Sequence, residues 1–399
     1  MLVDWDGFDP DYLDRVPTPN LDALVAGGSL SIATGTYPTV SNPSRASLST
    51  GAYPRTHRNV AHAYDQVRDR ATGQTRFLAA RTIAEVLAAD GRSVASVQWY
   101  MVENRGVRYG DARHLYVQPG GACSARVDAA VAILRGTPVD SGGQRVVVRA
   151  VPDLLAVYCS DLDTVGHREG PDSVETSRTM AQLDRQLGRL VGAIAGAGIA
   201  RDTAFIVTGD HGMSPWTRTL VPPVEAALRT AGHHPQVLYA GERPRPGTDV
   251  VIVGAERVGT VALRGTAASA VGRASVTRVL SRLPQVSRVL DSRRLRALHA
   301  TPKQGDLVIE AKPPWAFVRR SLPRGRVRGA HGSLAEIKVP LVLAGSMFCG
   351  RAPGDPELVD VAPTIATLLG VPVPPQAEGR VLGEAMRSRS CRRDARAGN

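Results

Sequence analysis

Continuous apolar runs alternate with helical periodicities along the first half of the chain. The segments LVDW (2–5), SVASVQW (93–99), LLAVYCS (154–160) and TAFIVT (203–208) are short and mainly apolar. Such runs predict strands covered on both faces, not strands with one wet side. Between them, TIAEVLAADG (82–91) predicts a helix that stops at Gly91. Met180, Leu183, Leu187, Leu190, Val191 and Ile194 recur on one helical face. This rhythm predicts an α/β protein, a mostly parallel sheet sandwiched by helices.

The rhythm changes near residue 215. Pro and Arg rise in GERPRPGTD (241–249), the strands shorten (DVVIVG, DLVIEA), and one amphipathic stretch runs through ASVTRVLSRL. An inserted smaller α+β subdomain is therefore expected over 215–328. VPLVLAG and DVAPTIATLLGV then return to the earlier rhythm, so the core is expected over 1–214 and 329–385. The polar, basic end, 386–399, reads as a mobile tail.

Composition changes this picture little. A chain of 399 residues accommodates a large α/β core with an insertion, and no run of about 18 apolar residues predicts a membrane span. The net charge is +12, but only three of the 49 basic residues are lysines, the arginines are scattered, and no nucleic-acid module accompanies them. A compositional preference for Arg and Ala is the leading reading of this charge, and a positive field that steers an anionic substrate is the second. The four cysteines, Cys123, Cys159, Cys349 and Cys391, lie far apart, lack C-x-x-C spacing and leave the compartment open. There is no signal peptide in the chain, yet the first strand begins almost at residue 1. An upstream start with an export leader, to the periplasm or the exterior, stays open, as does the oligomeric state.

Candidate chemistry gathers at the strand ends. Asp4-Trp5-Asp6-Gly7, Asp163-x-x-x-His167, Asp210-His211-Gly212 and His331-Gly332 are acidic or histidine clusters. In open α/β sheets, ligands bind beyond the carboxyl ends of strands, where residues distant in sequence converge. Three histidines and several carboxylates brought together need a cation to balance them. Nitrogen and carboxylate donors suit Zn²⁺, and the supply is enough for two ions. A further stretch, TYPTVSNPSRASLSTG (36–51), sets Ser41 where a helix starts. Ser41 reads either as an N-cap or as a nucleophile facing free amides and the positive helix end, with Pro43 tolerated in the first turn.

Taken in order, these motifs resemble the alkaline phosphatase superfamily, and within it the type I phosphodiesterase/nucleotide pyrophosphatase branch. The resemblance rests on DWDGFDPDYL, TPNLDAL, YPTVSNPSRASLSTGAYP, DTVGHREGPDS, GDHGM, GAHGS and VDVAPTIATLLGV, and spans nearly the whole chain. It implies that Asp163, His167 and His331 hold one metal, and that Asp6, Asp210 and His211, with Ser41 beside them, hold the second. Ser41 would be the nucleophile, forming a covalent intermediate on a small phosphate ester. Asp4 competes with Asp6 for the first-strand position, and Asp6 is preferred because it directly precedes the glycine.

The same stretch is similar to the sulfatase signature, in which the residue before x-Pro-Ser-Arg becomes formylglycine and Arg45 would contact the anion. The branch commonly has an Asn downstream of its nucleophile; here that position holds His62, with Asn59 nearby, and Asn42 or Arg45 could supply a donor. Phosphodiester or pyrophosphate cleavage is the leading expectation. Sulfatase, phosphomonoesterase and phosphonate hydrolase readings stay open, as does a catalytically silent anion binder.

Overall fold

The computed structural model describes residues 1–387. Most of the tail expected over 386–399 lies outside the described residues.

Six strands of the larger sheet come first: β1 (Leu2–Trp5), β2 (Ser29–Thr34), β3 (Val94–Val97), β4 (His114–Val117), β5 (Leu154–Cys159) and β6 (Ala204–Thr208). Five follow in the middle of the chain: β7 (Pro235–Leu238), β8 (Val250–Ala255), β9 (Val258–Leu263), β10 (Val286–Asp291) and β11 (Leu307–Ala311). The chain then returns with β12 (Lys338–Gly345). The larger sheet has the order β2-β12-β6-β1-β5-β3-β4. Its pairings are parallel except those of β12, which runs against both its neighbours. This is the α/β architecture expected from the apolar runs.

Those runs are continuous because each strand serves two cores. Successive side chains point to opposite faces. Val3, Trp5, Leu155 and Val157 join one core, packed under helices Cys123–Leu134 and Val174–Gly196. Leu2, Leu154, Ala156 and Tyr158 join the other, under helices Ile83–Ala89 and Val361–Leu368. The long helix Val174–Gly196 starts at Ser173, whose side chain accepts from Thr176 N–H, and buries Met180, Leu183, Leu187, Leu190 and Ile194. Thr82 and Glu85 form a reciprocal capping box that starts the helix Ile83–Ala89.

The smaller sheet has the order β7-β8-β9-β11-β10, with a third core containing Leu228, Ile252, Val276 and Ile309. Helices Val221–Thr230 and Ala270–Ser281 contribute to that core.

One covalent link joins a helix to the site end of the larger sheet. Cys123, the first residue of its helix, forms a disulfide with Cys159, the last residue of β5. Sequence spacing does not reveal the pair, because the cysteines are 36 residues apart and meet only through the sheet. Cross-linking a loop of that size stabilises by about 2–4 kcal/mol through loss of unfolded-state freedom. The Cys123→Ala/Cys159→Ala variant is expected to lose about that much in urea unfolding. A loss below about 0.5 kcal/mol would show that the bond constrains nothing the packing does not already hold.

Candidate active site

Strand register brings the clusters together. Trp5 on β1 lies opposite Cys159 on β5, and Asp4 lies opposite Thr208 on β6. The residues after these strands therefore emerge side by side. Asp6 N–H donates to Cys159 O at 2.8 Å, and Asp163 N–H donates to Asp6 O at 3.1 Å. Gly7 N–H donates to Asp210 Oδ1 at 3.0 Å. Gly7 itself adopts φ 70°, and a Cβ there would meet the Asp163 backbone at 3.1 Å, so only glycine suits this crossing. His331 precedes its strand where the other ligands follow theirs. The reversed direction of β12 explains this, since its amino end lies beside the carboxyl ends of the others.

Two groups of candidate ligands result, Asp163 with His167 and His331, and Asp6 with Asp210 and His211. Within each group the ligand atoms lie within 4.8 Å of one another. Asp163 and His167 sit one turn apart on helix Asp161–Glu169, with His167 Nε2 3.1 Å from Asp163 Oδ1. His331 Nε2 is 3.6 Å from the same oxygen. In the second group, His211 Nε2 is 3.2 Å from Asp210 Oδ2 and 3.5 Å from Asp6 Oδ1. The His211 and His331 rings stack at 3.6 Å, so the two groups adjoin.

All three imidazoles are oriented in one way. His167 Nδ1 pairs with Gly329 O at 3.1 Å, His211 Nδ1 with Gly212 O at 3.0 Å, and His331 Nδ1 with Thr39 O at 2.8 Å. A carbonyl only accepts, so each Nδ1 carries a proton and, in the neutral ring, each Nε2 presents its lone pair to the carboxylates. This is the outer support that metal-ligating histidines require. Burial lowers the His211 and His331 imidazoles, the latter to about 4. Burial opposes the charge on His167, but the Glu256 and Asp163 carboxylates raise it to about 10.

The carboxylates fit a cation as well. Asp6 Oδ1, Asp163 Oδ1 and Asp210 Oδ2 are buried and have no hydrogen-bond partner, while the other oxygen of Asp6 and of Asp210 is engaged. Asp6 Oδ2 accepts from Tyr158 Oη at 2.5 Å, and Asp210 Oδ1 accepts from Gly7. An unpartnered buried carboxylate oxygen is costly, and one from each acidic ligand faces the histidine nitrogens.

Behind the second group lies Arg45, wholly buried. Its Nε is 2.8 Å from Asp4 Oδ2, its Nη2 is 3.0 Å from Asp6 Oδ2, and its Nη1 is 3.2 Å from Asp210 Oδ2. The guanidinium lies 4.3 Å from the Tyr158 ring centre. Three carboxylates share this one cation. Burial pushes Asp210 well above the ordinary carboxylate value against the pull of Arg45, and raises Asp4 for the same reason. The expectation that Arg45 would meet the anion does not match this placement, since its donors face the aspartates and Tyr100.

Ser41 is the first residue of helix Ser41–Thr50, and the N-cap is Val40. Its Oγ stands 3.2 Å from His211 Nε2 and caps nothing. The free amides expected at this helix start are used within the chain: Asn42 N–H donates to Gln74 Oε1, and Ser44 N–H to Val40 O. The Asn42 side chain donates to Thr75 O and accepts from Tyr100 Oη. Asn59 spends its Nδ2 on Thr75 O and Phe77 O. His62, at φ 51°, is lowered by burial to about 4 and makes no ion pair with either group among the described residues. The two ligand groups and Ser41 therefore come together, whereas the Asn42 and Arg45 side chains are turned to other partners.

Sequence reasoning missed Tyr158, Thr39 and Glu256. Tyr158 and Thr39 look like ordinary core and loop positions. Glu256 carried a signal: two apolar runs separated by Glu-Arg, where a two-residue hairpin turn ordinarily has Asn-Gly.

Comparison with known proteins places this geometry. The sequence model of the family described as type I phosphodiesterase / nucleotide pyrophosphatase matches residues 1–334. Human ectonucleotide pyrophosphatase/phosphodiesterase family member 7 is 28% identical over 230 residues, covering 54% of this chain and 47% of that protein. The chain thus spans about half the length of the curated relatives it matches. Murine ectonucleotide pyrophosphatase/phosphodiesterase 5, in its inactive form with AMP, superposes with a TM-score of 0.69 at 18% identity, covering 94% of this chain and 95% of that one. Phosphonoacetate hydrolase from Sinorhizobium meliloti gives 0.67 at 18% identity, covering 92% and 94%. At these identities the structures share the fold.

Removing Arg45 tests the charge balance. Arg45→Met keeps the volume but leaves three buried carboxylates uncompensated, and is expected to cost about 3–5 kcal/mol in urea unfolding of metal-free protein. A change below about 0.5 kcal/mol would show that Arg45 does not hold the aspartates in charge balance.

Proposed function

The chain belongs to the type I phosphodiesterase/nucleotide pyrophosphatase family, and from that membership we propose that it is a hydrolase of phosphate esters acting through Ser41, with phosphodiester or nucleotide pyrophosphate bonds as its substrates. The observation that carries this reading is the position of Ser41 Oγ, 3.2 Å from His211 Nε2 at the edge of the second ligand group. Asp163, His167 and His331 would hold one divalent cation, and Asp6, Asp210, His211 and Ser41 the other, zinc being suited to this donor set. When bound, the two cations supply Lewis acidity, lowering the pKa of a hydroxyl or water and offsetting charge on the phosphoryl group.

The chain's own residues do the rest. Ser41 Oγ loses its proton and attacks phosphorus, the bond to the leaving oxygen breaks, that oxygen takes up a proton, and a serine phosphodiester that keeps the substrate's other substituent forms. Water then attacks phosphorus, the Oγ–P bond breaks, and Ser41 regains its hydroxyl. The helix holds Ser41 in one orientation through both steps, and Tyr158 and Arg45 hold Asp6. The Nδ1 anchors keep three imidazoles facing inward without a search of rotamers.

Phosphorus is favoured over sulfur because Arg45 is committed to Asp4, Asp6 and Asp210 and is not free to grip a sulfate. The AMP complex of the murine relative supports a nucleotide as one substrate class. The disulfide supports export to an oxidising compartment, and no helix among the described residues is long and apolar enough to cross a membrane.

Ser41→Ala is expected to lower turnover of bis(p-nitrophenyl) phosphate by at least about 1,000-fold while the protein keeps about two equivalents of zinc. Normal turnover by that variant would refute the nucleophile. Wild-type protein assayed side by side on p-nitrophenyl sulfate, phosphate monoester, phosphate diester and a dinucleotide should favour the last two. Preference for the sulfate or for the monoester would move the substrate class. Inactivity on all of them would favour an anion binder.

A further inference from the structure

The smaller sheet reaches into the site at one point. On β8 and β9, Ala255 pairs with Val258, so Glu256 and Arg257 form the entire turn between them. Glu256 adopts φ 55°, a conformation that Asn, Asp or Gly would take more easily. The turn is nonetheless pinned. Glu256 O accepts from Phe317 N–H at 2.5 Å, and Arg257 N–H donates to His331 O at 3.2 Å. The buried Arg257 side chain pairs with Glu336 at 3.2 Å and donates to Trp315 O at 2.8 Å. The turn is thus fixed against the loop that carries His331.

The Glu256 carboxylate lies at the first ligand group. Its Oε2 accepts from His331 N–H at 3.2 Å and stands 3.8 Å from His331 Nε2, while Oε1 is 3.6 Å from His167 Nδ1. The side chain remains 39% exposed, open to the site's solvent. Charge gives this placement a purpose. The second group has two carboxylates of its own and a third, Asp4, behind Arg45, whereas the first has Asp163 alone.

We propose that Glu256 is a positioning residue for the first cation, supplying the second negative charge of that group and holding His331 and His167 in place from behind. The proposal rests on the two-metal reading above. It makes the smaller sheet a structural part of the catalytic centre. Its carboxylate oxygens flank the imidazoles without joining the ligand atoms, so its loss should weaken the site and leave it formed.

Metal-free wild type, Glu256→Gln and Glu256→Gly are titrated with zinc against a chromophoric chelator, and the unfolding midpoint of each metal-free protein is measured. Gln keeps an acceptor for His331 N–H but removes the charge. Gly removes the carboxylate and suits the positive φ, so its backbone is not strained. The expected result is one zinc bound with unchanged affinity and the other weakened about 10–100-fold in both variants, with unfolding midpoints not lowered in the Gly variant. Two zinc affinities within about twofold of wild type in Glu256→Gln would overturn the assignment while leaving the two-metal reading intact. Uptake of a single zinc by the wild type would overturn both.

Discussion

Everything in this structure depends on placing several buried carboxylates at one edge of a sheet and compensating them. Asp4, Asp6 and Asp210 have almost no exposure to solvent and share Arg45 as their ionic partner. A lone buried carboxylate is costly, and three around one guanidinium leave negative charge over. The remaining charge is directed at a defined place, because Asp6 Oδ1 accepts no hydrogen bond and faces His211, and Asp210 Oδ2, ion-paired with Arg45, also stands 3.2 Å from His211 Nε2. The excess charge of the core is in this sense the affinity of the site for a cation.

The topology makes the arrangement inexpensive in chain terms. Parallel neighbours β1, β5 and β6 release their next residues at one edge, and a single reversed strand brings His331 to the same edge from its amino end. Ser41 comes from a helix packed on the face that also holds Tyr158, so Arg45, one turn along that helix, reaches Asp4. One helix thereby sets the serine beside His211 and the counter-charge beneath the aspartates.

How much of this could be read from the sequence follows from which interactions are local. The α/β class was legible because β5 is apolar at every position and β6 at all but its last, a pattern that suits a sheet covered on both faces. The Asp163/His167 pair was legible because helix spacing alone puts residues four apart on one face. The pairing of Arg45 with Asp4 was not, because 41 residues separate them and only the helix's packing angle decides which way the guanidinium points. The sequence therefore leaves Arg45 open as a donor to the anion, the role it would take in the sulfatase reading. The sequence alone leaves Ser41 between a cap and a nucleophile until the distant clusters are set beside it, and the helix in fact takes Val40 as its cap. Glu256 lay hidden in a stretch whose register with the core no local pattern reveals, and the Cys123–Cys159 bond depends on the sheet bringing distant residues together.

The central claim is that two adjoining carboxylate–histidine groups hold one cation each. The most direct measurement is anomalous scattering at the zinc edge from crystals of the zinc-loaded protein. The account predicts two peaks, one among Asp163, His167 and His331 and one among Asp6, Asp210 and His211 beside Ser41. A single peak, or peaks elsewhere with the three orphaned carboxylate oxygens left unligated, would contradict it.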